Sequence, residues 1–235
     1  MKTSIVIITY NTPIEVLLLQ LDAIDKFCQD KPQIVIVDNS YDSQLAIAIK
    51  HQVDIRENIK YFKTSASSRN GSDSHAFAAA FAMEKLKGKF DYYFYLDHDC
   101  IPVKTFSIPE ILKEKVAAGL GQGNPIPYFW AGCFMYDATK IDIDFNMSYS
   151  HDLHLDTGGG THKIIETYGK DKCVFFNEEY KQNPGFTKSN ETAYAMINDG
   201  MFFHMVNASN WKQGEHHNER INSLVNIARE MINQN

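Results

Sequence analysis

Three short apolar runs stand in the first hundred residues, Ser4-Ile5-Val6-Ile7-Ile8-Thr9, Ile34-Val35-Ile36-Val37 and Asp91-Tyr92-Tyr93-Phe94-Tyr95-Leu96, and each stops abruptly at a polar set. The first two are continuous rather than alternating, the pattern of strands covered on both faces. Between them Ile14, Leu17, Leu18, Leu21, Ile24 and Cys28 recur at helical spacing. That helix has a readable start, with Thr12 as cap, Pro13 in the first turn and Glu15 closing a capping box. Tyr61-Phe62 reads as a short third strand, and the polar loop from Thr64 to Asp73 leads into an Ala-rich helix over about Ser74 to Lys87. Strands and helices alternating in this way predict an α/β chain with a mostly parallel central sheet flanked by helices.

The second half is looser. Helical spacing covers Ile108 to Ala118, a strand is expected over Tyr128 to Tyr136, and residues 142–160 form a long loop ending in Gly158-Gly159-Gly160. Thr161 opens a short helix, Val174-Phe175-Phe176 and Met201 to Val206 read as strands, and Ile221, Leu224, Val225, Ala228, Met231 and Ile232 mark a terminal helix. No linker interrupts this, so residues 1–235 read as one domain, with a regular half (1–100) and a looser half (101–235). A chain of 235 residues, 44% hydrophobic and 22% charged, buries a full core without staples. It has no apolar run near the roughly 18 residues of a membrane span. Ile5 to Ile8 is too short for a signal-peptide core. A soluble, cytoplasmic protein is expected. The net charge of -6 argues against general nucleic-acid binding. The four cysteines, Cys28, Cys100, Cys133 and Cys173, show no C-x-x-C spacing and predict neither a zinc knuckle nor a redox pair. Gly119-x-Gly121-x-Gly123 neither follows the first strand nor opens a helix, so it is no dinucleotide fingerprint.

The chemistry concentrates at Asp97-His98-Asp99, where a buried strand ends. Ligands of open α/β sheets bind outside such ends, and two carboxylates one residue apart can converge on a hard cation and a ribose. A solvated turn is the plain alternative. Three other strand ends, however, also carry polar sets: Thr9-Tyr10-Asn11, Asp38-Asn39-Ser40 and Asn70-Gly71-Ser72. Several polar loops on one edge make a site. Six of the nine histidines follow residue 150, but H-E-x-x-H is absent and His151-x-x-His154 is a poor zinc site. His204, on an apparent strand, stands as either a cation ligand or a core histidine.

SIVIITYN, VDNSYD, the Asn70-Gly71 loop before an Ala-rich helix, and YLDHD, in that order and spacing, resemble the family 2 glycosyltransferases with the GT-A fold over about the first 135 residues. The resemblance implies transfer of a sugar from a nucleotide diphosphate sugar, a UDP-sugar first, to an acceptor hydroxyl with inversion. It makes Thr9, Tyr10, Asn11, Asp38 and Asn70 nucleotide-binding, places Asp97 and His98 by the ribose or sugar, and gives Asp99 a Mn2+ or Mg2+ ion. His204 would complete the cation shell. His75, near a helix start, either meets a phosphate or caps and packs. Asp156 is the chosen base, with Asp152 and Glu166 as rivals. Trp130, Gly158 and Gly159 would meet the acceptor, a glycan or glycoconjugate, although Trp130 also suits a core. Two other readings remain: transfer onto hydroxymethylated bases of DNA, to which Lys85, Lys87 and Lys89 offer a small basic cluster, and an inactive module that binds carbohydrate or nucleotide sugar.

Overall fold

Every side chain of the first strand is buried, and the two faces it separates organise the molecule. In the computed structural model, which describes residues 1–64, 71–148, 153, 155–184, 193–206, 208 and 216–235, the elements in chain order are β1 (Thr3–Thr9), α1 (Ile14–Phe27), β2 (Gln33–Asp38), α2 (Ser43–Asp54), β3 (Ile59–Lys63), α3 (Gly71–Leu86), β4 (Tyr92–Leu96), β5 (Cys100–Pro102), α4 (Ile108–Leu112), β6 (Ala117–Gln122), β7 (Tyr128–Asp137), α5 (His162–Tyr168), β8 (Cys173–Phe176), β9 (Glu178–Gln182), β10 (Ala193–Ile197), β11 (Phe202–His204) and α6 (His217–Gln234). Asn70, His151, Asp152 and His154 lie outside the described residues.

Seven strands form the main sheet in the order β3-β2-β1-β4-β7-β6-β8. The pairs β3/β2, β2/β1, β1/β4 and β6/β8 are parallel, while β7 runs antiparallel to both neighbours. The mostly parallel sheet expected from the continuous apolar runs is present. On one face Ile5, Ile7, Ile34, Ile36 and Phe94 pack against Leu17, Leu21 and Ile24 of α1 and Leu224 of α6. On the other, Val6, Ile8, Val35, Val37 and Tyr95 meet Ala78, Ala79 and Ala82 of α3. Each fully buried aliphatic side chain contributes about 1.5–3 kcal/mol, so both faces hold the sheet. The small alanines let α3 lie close against it.

A second sheet, β5-β11-β10-β9, is antiparallel throughout. Its strands are short, and only β11 falls inside a strand expected from sequence. Phe94 of β4, Phe106 and Phe202 of β11 pack edge to face with centroids 5.3–6.1 Å apart, which locks this sheet to the main one.

Three local expectations are corrected. The helix over 108–118 is only α4; Ser107 caps it, Lys113 ends it in a left-handed conformation (φ 38°), and Ala117 onward pairs with β7 as β6. Small residues at helical spacing conceal a strand whose partner is remote. Thr12 does not cap α1; its hydroxyl accepts from the Tyr10 N–H at 3.2 Å and Pro13 occupies the cap position. The Ala-rich helix begins three residues early, at Gly71.

β2 and β3 build outward on one side of β1 and β4 lies on the other. The order therefore reverses between β1 and β4, the place where ligands of open α/β sheets bind beyond the strand ends.

Candidate active site

Thr9 and Asp38 stand opposite one another where β1 and β2 end. Asp38 is fully buried, and all its carboxylate capacity is turned inward. Oδ1 accepts from the Thr9 hydroxyl at 3.2 Å and the Ser40 N–H at 2.9 Å, and Oδ2 accepts from the Tyr61 hydroxyl at 2.6 Å. Such bonds offset the cost of burying a charge. Asn11, in a left-handed conformation (φ 46°), donates its N–H to Ser40 Oγ at 2.8 Å and accepts from the Asp42 N–H at 3.3 Å. Asp42 also caps α2 by accepting from the N–H groups of Gln44 and Leu45. The side chains left facing outward are Tyr10 and the exposed Tyr41, whose rings meet edge to face at 6.0 Å.

β4 delivers the carboxylate turn to the same edge. The Asp97 N–H donates to the Gly132 carbonyl at 2.8 Å, and His98 Nδ1 lies 3.2 Å from the Ile8 carbonyl, so that nitrogen carries its proton. From α1, Gln20 reaches in as a buried clasp: its Nε2 donates to the carbonyls of Asp97 (2.6 Å) and Cys100 (2.7 Å). No feature of the helical stripe singles out Gln20, since a polar residue at a buried position is visible only once the turn lies beneath it.

His75, on the first turns of α3, forms an ion pair with Asp97, Nε2 to Oδ1 at 2.7 Å. Burial lowers the His75 pKa, but the charge of Asp97 and its direct contact, with Asp156 and Asp99 adding, more than offset this and leave it raised. Asp97 shows the converse: burial pushes it up, and His75 first, then His98 and His204, bring it below the usual carboxylate value. His75 thus meets a carboxylate, where sequence offered a phosphate or a cap.

Asp99 is buried, with its carbonyl bonded to the Met205 N–H at 2.9 Å and Oδ2 to the Ala208 N–H at 3.3 Å. Oδ1 lies 3.8 Å from His204 Nε2. His204 is framed on its other side by Glu178, Nδ1 to Oε1 at 3.9 Å, and by the Trp130 ring at 5.0 Å. Burial pulls the His204 pKa down, yet Glu178, Asp99 and Asp97 raise it overall. Asp99, Cys100 and His204 offer donor atoms all within 4.8 Å of one another, the one such group among the described residues. Glu178 was not legible in sequence, because it enters only through the pairing of β9 with β10 and of β10 with β11.

Trp130 is half-buried and lies flat over Gly132; a Cβ there would fall 2.2 Å from the indole. Asp156 is exposed, with Oδ1 accepting from the Thr157 N–H at 2.7 Å and its own N–H donating to the Tyr128 hydroxyl at 3.1 Å. Thr157 ties this loop to α3 by donating to the Ser72 carbonyl at 3.1 Å. Asp156 contributes, after Asp97, to raising the His75 pKa. Glu166 is exposed on α5.

Gly158 and Gly159 are buried, and the space they leave is filled by the chain itself. Gly158 has φ +96°, and a Cβ there would sit 2.2 Å from the Phe129 carbonyl and 2.7 Å from the Ala131 nitrogen. Gly158→Ala is accordingly expected to cost about 2–4 kcal/mol of stability, seen as a lower urea midpoint at unchanged slope. An unshifted midpoint would show that this contact can relax.

No protein-family model matches the chain, and no curated protein matches it in sequence. Solved structures do match in fold. A mannosyltransferase from Pyrobaculum calidifontis, solved with GDP-mannose and Mn2+, aligns with a TM-score of 0.52 at 13% identity over 74% of this chain and 54% of that one. The bifunctional glycosyltransferase WbbM aligns at TM-score 0.44 and 11% identity over 74% and 38%, and TarS of S. aureus at 0.43 and 18% over 68% and 33%. This chain thus spans about half the length of the mannosyltransferase and less of the other two. Taken with the sheet order and the carboxylate turn at its switch point, the likeness gives this chain the GT-A fold.

Proposed function

We propose that the chain is a metal-dependent, family 2-like glycosyltransferase that moves a sugar from a nucleotide diphosphate sugar, a UDP-sugar first, to a hydroxyl of a glycan or glycoconjugate with inversion. The observation that carries this reading is the meeting, at the switch point between β1 and β4, of the Thr9-Tyr10-Asn11 edge, the Asp97-His98-Asp99 turn and His204.

The donor set fits a divalent cation, for Asp99 supplies a carboxylate and His204 an imidazole 3.8 Å away. The imidazole favours Mn2+ over Mg2+. When bound, the cation stabilises negative charge on the departing nucleoside diphosphate. Asp99 is held for that task by the Ala208 N–H and His204 by its contact with Trp130. Tyr10 and Tyr41 offer aromatic surface to the base. Asp38 serves nucleotide binding indirectly, by fixing Thr9 and Ser40, and Asn70 is a further proposed nucleotide-binding residue. His75 orients Asp97 toward the ribose or sugar, with His98 anchoring the turn. Asp156 takes the proton of the acceptor hydroxyl, while Trp130 gives the acceptor ring a face to stack on and Gly158 and Gly159 shape the loop.

The test is release of nucleoside diphosphate from a panel of UDP- and GDP-sugars with Mn2+, Mg2+ or EDTA. Release with Mn2+ that EDTA abolishes is expected for at least one donor. Absence of release and of any donor binding by calorimetry would overturn the reading.

A further inference from the structure

Cys100 directly faces His204 in the antiparallel pairing of β5 with β11, so the two side chains stand on the same side of the small sheet. Asp99 immediately precedes it. The three residues are all buried, and their donor atoms lie within 4.8 Å of one another. Among the described residues His204 Nδ1, also buried, makes no hydrogen bond, and Glu178 Oε1 lies 3.9 Å from it. Cys28, Cys133 and Cys173 belong to no such group among the described residues.

In the proposed function Asp99 and His204 alone serve the harder ion, but with the Cys100 sulfur added the set of one oxygen, one sulfur and one nitrogen suits a softer one. It is a good match to a thiophilic ion that takes three protein ligands and keeps a fourth position open. We propose that Asp99, Cys100 and His204 form a binding site for a thiophilic d10 cation, Zn2+ or Cd2+, which competes with the harder ion for Asp99 and His204. Binding replaces the Cys100 S–H bond by a sulfur–metal bond and releases the proton to solvent, with no change of oxidation state. The donors draw in to separations of roughly 3.5 Å, as tetrahedral bond lengths require. That such an ion then inhibits sugar transfer rests on the proposed function; the binding itself does not.

Cd2+ titrated into the reduced, metal-free full chain without nucleotide is expected to give a thiolate-to-cadmium charge-transfer band saturating at one equivalent. Cys100→Ser should lose the band and bind Zn2+, measured against a chromophoric chelator, at least about tenfold more weakly. Cys133→Ser should keep the band. No band in the unsubstituted protein, or a band that survives in Cys100→Ser, overturns the proposal. Should Cys100→Ser fail to fold, 113Cd NMR of the unsubstituted protein decides: a shift for one sulfur with nitrogen and oxygen donors upholds the site, and an all-oxygen shift overturns it. A band in a protein that releases no nucleotide would remove the transferase reading and leave this site standing.

Discussion

Asp99→Ala is expected to lower Mn2+-dependent release of nucleoside diphosphate by about 10^3-fold or more. Among the described residues the carboxylate is the acidic side chain nearest His204 Nε2, at 3.8 Å, so its loss leaves the imidazole without its partner donor. The backbone bond from Met205 N–H to the Asp99 carbonyl does not involve the side chain and persists. The fold should therefore survive, apart from an unpaired Ala208 N–H, and the urea midpoint should move by no more than about 1–3 kcal/mol. A folded variant with unchanged turnover would remove Asp99 from the chemistry and with it the metal-dependent reading.

Asp156→Asn separates binding from transfer. Asparagine keeps the oxygen that accepts from the Thr157 N–H, so the loop, its tie to Ser72 and the donor site should be retained. It has no lone proton acceptor comparable to a carboxylate, so transfer to acceptor should fall by about 10^2- to 10^4-fold with donor affinity unchanged. Both quantities come from the same preparation, by calorimetry and by product formation. Transfer that persists would move the base to Asp152 or Glu166.

The parts of the fold that could be read ahead are those whose information is local. β1 and β2 declare themselves through continuous β-branched runs covered on both faces, and α1 and α6 through their stripes. The carboxylate turn was legible because it follows a buried aromatic strand without a break. Residues whose roles depend on remote pairing were not. Glu178 reaches His204 only through two strand pairings, Gln20 meets the turn across 77 residues, and Cys100 meets His204 across a register that no local pattern encodes. Asp38 and His75 show a further limit: sequence put one at a strand end and the other near a helix start, but did not tell which atoms they would bond.

The clasp made by Gln20 has a mechanical consequence. One helix begins at the loop that carries Tyr10 and Asn11 and, about 9 Å further along its axis, grips two carbonyls of the turn that carries Asp97 and Asp99. The two ends of the proposed donor site are therefore mounted on one rigid strut. A tilt of α1 would carry the Asp97 and Cys100 carbonyls with it through the Gln20 amide.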